Sequence, residues 1–198
     1  MALAQSAVDL YRELQTDPAF HPGASICDLG AQIMHVDPNF GLSAGPYVQK
    51  MFGFGRYVCI DMDGTNNALD LDLNNACYED VGEQFDVVTN HGTTEHCLNQ
   101  LNCFRFMHDI TKVGGLMIHM VPSWPYCDYN NCFFFMTEEV FSNVAEANNY
   151  EKVRLNLFDD SNGKYVLAVL RRTSDAKFII PIQRYYHLPN RKISVSKE

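Results

Sequence analysis

The sequence has no CxxC pair, no internal repeat and no low-complexity segment. Nor does it have an apolar run approaching the ~18–20 residues that cross a bilayer. Without CxxC, zinc-ribbon and thioredoxin readings lose their signature. Without a long apolar run, no membrane partner is expected. Basic residues are scarce: 15 Lys and Arg stand against 24 Asp and Glu, a net charge of −9, with a pI near 5.1. So acidic a surface repels phosphate backbones, so no nucleic-acid partner is expected. The opening stretch MALAQSAVDLYRELQ lacks a basic n-region and an apolar h-region, and no signal peptide is expected.

What is present suits a packed fold. The chain has 198 residues, 46% of them hydrophobic and 20% charged, enough apolar material for a core and the length of one domain. The expectation is a single domain over 1–198. Its core spans about 25–172, preceded by a helix at 3–15 and followed by an extended tail at 174–198. Seven cysteines, an odd number, are scattered through apolar stretches. They read as reduced, buried thiols of a cytoplasmic protein.

Strand-like and helix-like segments alternate. Leu3, Ala7, Leu10, Tyr11 and Leu14 have helical spacing. Strands are predicted at 25–30, 56–64, 68–74, 85–90 and 114–122, and helices at 43–52, 94–112 and 137–149. Two closing strands, 150–160 and 164–173, flank the turn Ser161-Asn162-Gly163. The pattern predicts an α/β, Rossmann-like, seven-stranded and mostly parallel sheet with helices on both faces and an antiparallel final strand. In such sheets ligands sit beyond the carboxyl ends of the strands. Gly30, Asp61, Asp72, Asn90 and His119 fall at or near those ends. A glycine there lets the backbone approach a ligand, and an acid at the second tip can accept from both hydroxyls of a ribose.

The strings SICDLGA (25–31), YVCIDMDG (57–64), ALDLDLN (68–74), FDVVTNHGTTEH (85–96) and DITKVGGLMIH (109–119) resemble those of class I S-adenosylmethionine (SAM)-dependent methyltransferases. The likeness is nearest to a group of small bacterial-type methyltransferase-domain proteins and covers about 25–172. The family loop D-x-G-x-G here reads Asp28-Leu29-Gly30-Ala31-Gln32, without its second glycine. The resemblance implies SAM as cofactor; no metal is expected, because the spacing of His91 and His96 misses the helical facing of a zinc motif. Asp28, Gly30 and Ala31 would flank its methionyl end. Asp61, with Asp63 as second choice, would hold the ribose. Asp72 and Leu73 would meet the adenine, and Asn90 and His91 would close the site beside the sulfonium.

Methyl transfer from a sulfonium needs alignment, desolvation and, for a hydroxyl or ammonium acceptor, a base. His91, His96, Glu95 and His119 are the candidates, because histidine titrates near neutrality. The aromatic stretch 122–136 offers Trp124, Tyr126 and Tyr129 as walls for a small-molecule acceptor. No cap domain fits in this length, which leaves room for a homodimer. Two rivals stand beside this reading. CIDMDGT also fits a haloacid-dehalogenase-type, Mg-dependent phosphatase, with Asp61 as nucleophile, Asp63 as acid/base and Asp159-Asp160 on the metal. A non-catalytic binding protein on the methyltransferase fold is the other.

Overall fold

The computed structural model describes residues 2–127, 132–160 and 163–181, with the side chains of 2, 124–127 and 160 left aside. Nine strands and five α-helices are present in it, in the order β1 (Ala2–Leu3), α1 (Gln5–Glu13), β2 (Ser25–Leu29), β3 (Ile33–Met34), α2 (Ala44–Phe52), β4 (Arg56–Asp61), β5 (Leu69–Asp70), α3 (Tyr78–Val81), β6 (Phe85–His91), α4 (Gln100–Ile110), β7 (Thr111–Cys127), α5 (Glu138–Ala147), β8 (Glu151–Asp160) and β9 (Gly163–Arg171). Seven strands form one sheet in the order β5-β4-β2-β6-β7-β9-β8, and β1 pairs with β3 in a separate ribbon. The pairs β5–β4, β4–β2, β2–β6 and β6–β7 are parallel. Only β9 runs against its neighbours, β7 and β8. This is the expected mostly parallel sheet with its last strand reversed.

Central strands are apolar on both sides, as strands covered by helices must be. Along β2, Ile26 packs with α1 and α2, while Cys27 and Leu29 pack on the opposite side with α4 and α5. Alternation repeats on β6, where Val87 faces the α1/α2 layer and Val88 the α4/α5 layer. Each fully buried side chain of the size of Leu29, Phe85 or Phe106 contributes about 1.5–3 kcal/mol to this sandwich. None of the described helices is long and apolar enough to cross a membrane.

Two predicted elements come out shorter or split. The strand expected over 68–74 is reduced to Leu69–Asp70. Asp72 ends it by accepting from the Asn74 amide at 2.9 Å, a local bond that competes with the ladder. The helix expected over 94–112 splits into a single 3-10 turn, Thr94–His96, and α4. Asn99 caps α4 by accepting from the Asn102 amide, and Leu98, between the two pieces, is exposed. From Ser174 to residue 181 the chain forms no regular element, and Asn148 pins it by bonds to the Ile179 amide and carbonyl.

Candidate functional site

Register aligns the carboxyl tips of four strands with the middle of β7 in one row. Leu29 lies level with Ile60 on one side and Asn90 on the other. Asp61 lies level with Asp70, and Asn90 with His119. At the exit of β2, Gly30 takes φ 95°, a conformation open to glycine at no steric cost. Its amide donates to the Ile60 carbonyl at 2.7 Å. The turn then carries the Ala31 amide onto Asp61 Oδ2 at 2.8 Å, while Asp61 Oδ1 accepts from the Met62 amide, also at 2.8 Å. The half-buried carboxylate thus joins the β2 and β4 tips and keeps a second lone pair on each oxygen.

The neighbouring candidates are placed differently. Asp28 is fully buried one residue inside the tip, on the α1/α2 side. There it accepts from the Thr89 hydroxyl and, at 2.8 Å, from the Tyr57 hydroxyl. Burial pushes its carboxyl up to about 6 against the pull of those two bonds. Asp63 is exposed and caps the Thr65 amide. Asp72 is bound by Asn74 and Asn75, and Leu73 is buried against α4, its carbonyl accepting from Asn102.

At the β6 tip the side chains diverge. His91 turns to the α1 side, where Tyr11 Oη lies 2.8 Å from its Nε2. His119 turns to the other side, against the rings of Phe104 and Phe141. Asn90 reaches across to His119 Nδ1 at 3.2 Å and to the Thr94 hydroxyl at 2.7 Å, and its Oδ1 accepts from the Thr93 and Thr94 amides. Burial lowers His91 to about 4 and His119 to about 3, so both rings are neutral at pH 7. In either tautomer, His91 Nδ1 has no hydrogen-bond partner among the described residues. Glu95 is buried too, which raises its carboxyl to about 7, and half-buried His96 stands 3.9 Å from it. Tyr129, and the side chains of Trp124 and Tyr126, lie outside the described residues.

Two residues were missed by sequence reasoning. Gln32, at the place of the absent second glycine, is buried. It donates to the carbonyls of Leu29 and His91 at 3.3 and 3.2 Å, while its Oε1 has no partner among the described residues. The departure from the loop pattern was the available signal. Tyr11, read only as part of an apolar stripe, carries a polar tip that had to find a partner once buried. The acids of the phosphatase reading are not brought together: Asp61 lies near one edge of the sheet, whereas Asp159 sits on the opposite edge strand, paired with Lys164.

No protein-family model matches the sequence, and no curated protein matches it either. Solved structures do match the fold. The N-methyltransferase NodS from Bradyrhizobium japonicum has a TM-score of 0.55 at 13% identity, over 84% of this chain and 96% of that one. The sugar N-methyltransferase KedS8 from Streptoalloteichus scores 0.54 at 13% identity, over 83% and 86%. Magnesium protoporphyrin IX methyltransferase from Synechocystis, solved with bound SAM, scores 0.50 at 12% identity, over 84% and 78%. The chain has the fold of class I SAM-dependent methyltransferases.

Proposed function

We propose that this chain is a cytoplasmic, single-domain SAM-dependent methyltransferase acting on an oxygen or nitrogen of a small molecule. The observation that carries the reading is the joined tip row: Gly30 bonded to Ile60 and Ala31 to Asp61, beside Asn90 and His91. The residues fit the cofactor. Asp61 would take the ribose hydroxyls on its remaining lone pairs, with exposed Asp63 next to it, and Asp72 and Leu73 would border the adenine. Gln32 Oε1, a buried acceptor without a partner among the described residues, suits the amino group of the methionyl end. Gly30 and Ala31 would give close backbone approach there. Asp28 would act at one remove, holding Thr89 and Tyr57 beneath the turn.

When bound, SAM supplies an electrophilic methyl group on a good leaving group. The chain's own task is alignment, exclusion of water and removal of a proton from the acceptor. Holding acceptor and donor in line is worth about 7–11 kcal/mol of the barrier in favourable cases. His91 and His119 are held neutral, so neither opposes a cation, and the net charge of −9 attracts one. His91 Nδ1 is the first choice for the acceptor's proton, with His96, Glu95 and His119 as alternates. Trp124, Tyr126 and Tyr129 would wall the acceptor, with a second copy of the chain completing the pocket.

Calorimetry with SAM and with its demethylated product tests the reading. Micromolar binding of either is expected. Asp61→Ala should weaken it by about 1.5–3 kcal/mol, through loss of charge-assisted hydrogen bonds. No binding, or an affinity untouched by that substitution, would refute it.

A further inference from the structure

Beyond the tip row lies a second cluster of donors. The 3-10 turn after β6 presents Glu95 and His96, and the segment leading to α5 brings Cys132 against them. Their carboxylate, imidazole and thiol donor atoms all lie within 4.8 Å of one another. The approach is built into the backbone, because the Glu95 carbonyl accepts from the amides of Phe133 and Phe134 at 2.9 and 3.2 Å. Cys132 is thereby held at the turn that carries the other two. Glu95 is only 3% exposed, and its Oε2 has no hydrogen-bond partner among the described residues. A buried carboxylate oxygen with nothing to bind is costly, and a cation would relieve that cost.

We propose that Glu95, His96 and Cys132 form a zinc site. One sulfur, one nitrogen and one oxygen donor match the borderline softness of zinc and do not suit magnesium or calcium, which take oxygen shells. Metal–ligand bonds of ~2.0–2.3 Å place tetrahedral ligands roughly 3.3–3.8 Å apart. The Glu95–His96 separation of 3.9 Å is already close to this. His96 and Cys132 are both half-buried. Three protein ligands leave a fourth position open to water or to an oxygen or sulfur of a bound molecule. The site stands whether or not the chain binds SAM. It was illegible in the sequence, where no CxxC or helical His spacing flags it and Cys132 comes from a separate segment.

The full-length protein, stripped with a chelator, is titrated with zinc chloride by calorimetry and with cobalt(II) by absorbance. One equivalent should bind with about micromolar or tighter affinity, and cobalt should show a thiolate charge-transfer band. Cys132→Ser should abolish the band and weaken zinc by at least about tenfold, the minimum for losing even an outer-sphere partner. Cys77→Ser, at an exposed thiol elsewhere, should change neither. His96→Asn should also weaken zinc, and it decides the matter if Cys132→Ser does not fold. Absence of saturable binding, a band that survives Cys132→Ser, or zinc affinity unchanged in His96→Asn would overturn the site.

Discussion

At the β4 tip and the turn after β5, the carboxylates of Asp61, Asp63 and Asp72 stand partly or wholly in water and collect backbone amides. The Thr65 amide holds Asp63 below the usual carboxylate range, and the Asn74 amide does the same for Asp72. At the β6 tip and the stretch of β7 beside it, Asn90, His91 and His119 are buried, and burial strips the two rings of charge. One end of the row keeps charge and solvent; the other excludes both. That division suits a site that must grip polar hydroxyls at one end and keep water from a reacting centre at the other.

The contrast can be broken by substitution. The largest effect is expected from Asp28→Ala, which leaves the Thr89 and Tyr57 hydroxyls without their acceptor in the interior. It should lower stability by about 2–4 kcal/mol in denaturant unfolding. Asp63→Ala, at the watery end, loses only an exposed cap of the Thr65 amide and should move the unfolding midpoint far less.

A pH series sharpens the same contrast. An unfolded histidine titrates near 6.5, whereas native His119 is held at about 3. Its neutral form therefore costs nothing above pH ~6.5. As pH falls below that, the unfolded chain takes up a proton that the native state refuses, and stability is lost. Native Asp28, held at about 6, pulls the other way: protonation as pH falls through 6 favours the folded state. Replacing His119 by Phe, a ring suited to Phe104 and Phe141, removes the first contribution only. The variant should lose about 2 kcal/mol less than the native chain between pH 7 and pH 5, measured as unfolding free energy at each. An equal loss in both would mean that the ring is not sealed.

A smaller loss than these is expected at the join between the two regions. Asn99 caps α4 and also bonds Asn74 in the turn after β5. Asn99→Ala should cost about 1 kcal/mol by thermal or denaturant unfolding, with SAM binding weakened less than by Asp61→Ala.

How much of this was legible follows from what each signal measures. Apolar periodicity located the central strands because burial on both faces leaves an uninterrupted apolar record, as at Ile26-Cys27 and Val87-Val88. It overran at 68–74, where Asp72 diverts the chain by a side-chain bond that alternation does not register. Strand ends pointed to Asp61, Asn90, His91 and His119, since topology alone fixes where tips fall. Sequence could not say that His91 and His119 take opposite faces, because that rests on the register that sets Asn90, and not His91, level with His119. Nor could it pair Tyr11 with His91 across 80 positions.

The ribbon joining Ala2–Leu3 to Ile33–Met34 has a practical reach. It fastens the chain immediately behind Gln32 to the beginning of the sequence, and the His35 amide adds a further bond to the Leu3 carbonyl. Chain fused upstream of Ala2 would thus load the turn that carries Gly30 and Gln32. Preparations carrying such an extension should be compared with cleaved protein before any weak affinity is ascribed to the molecule.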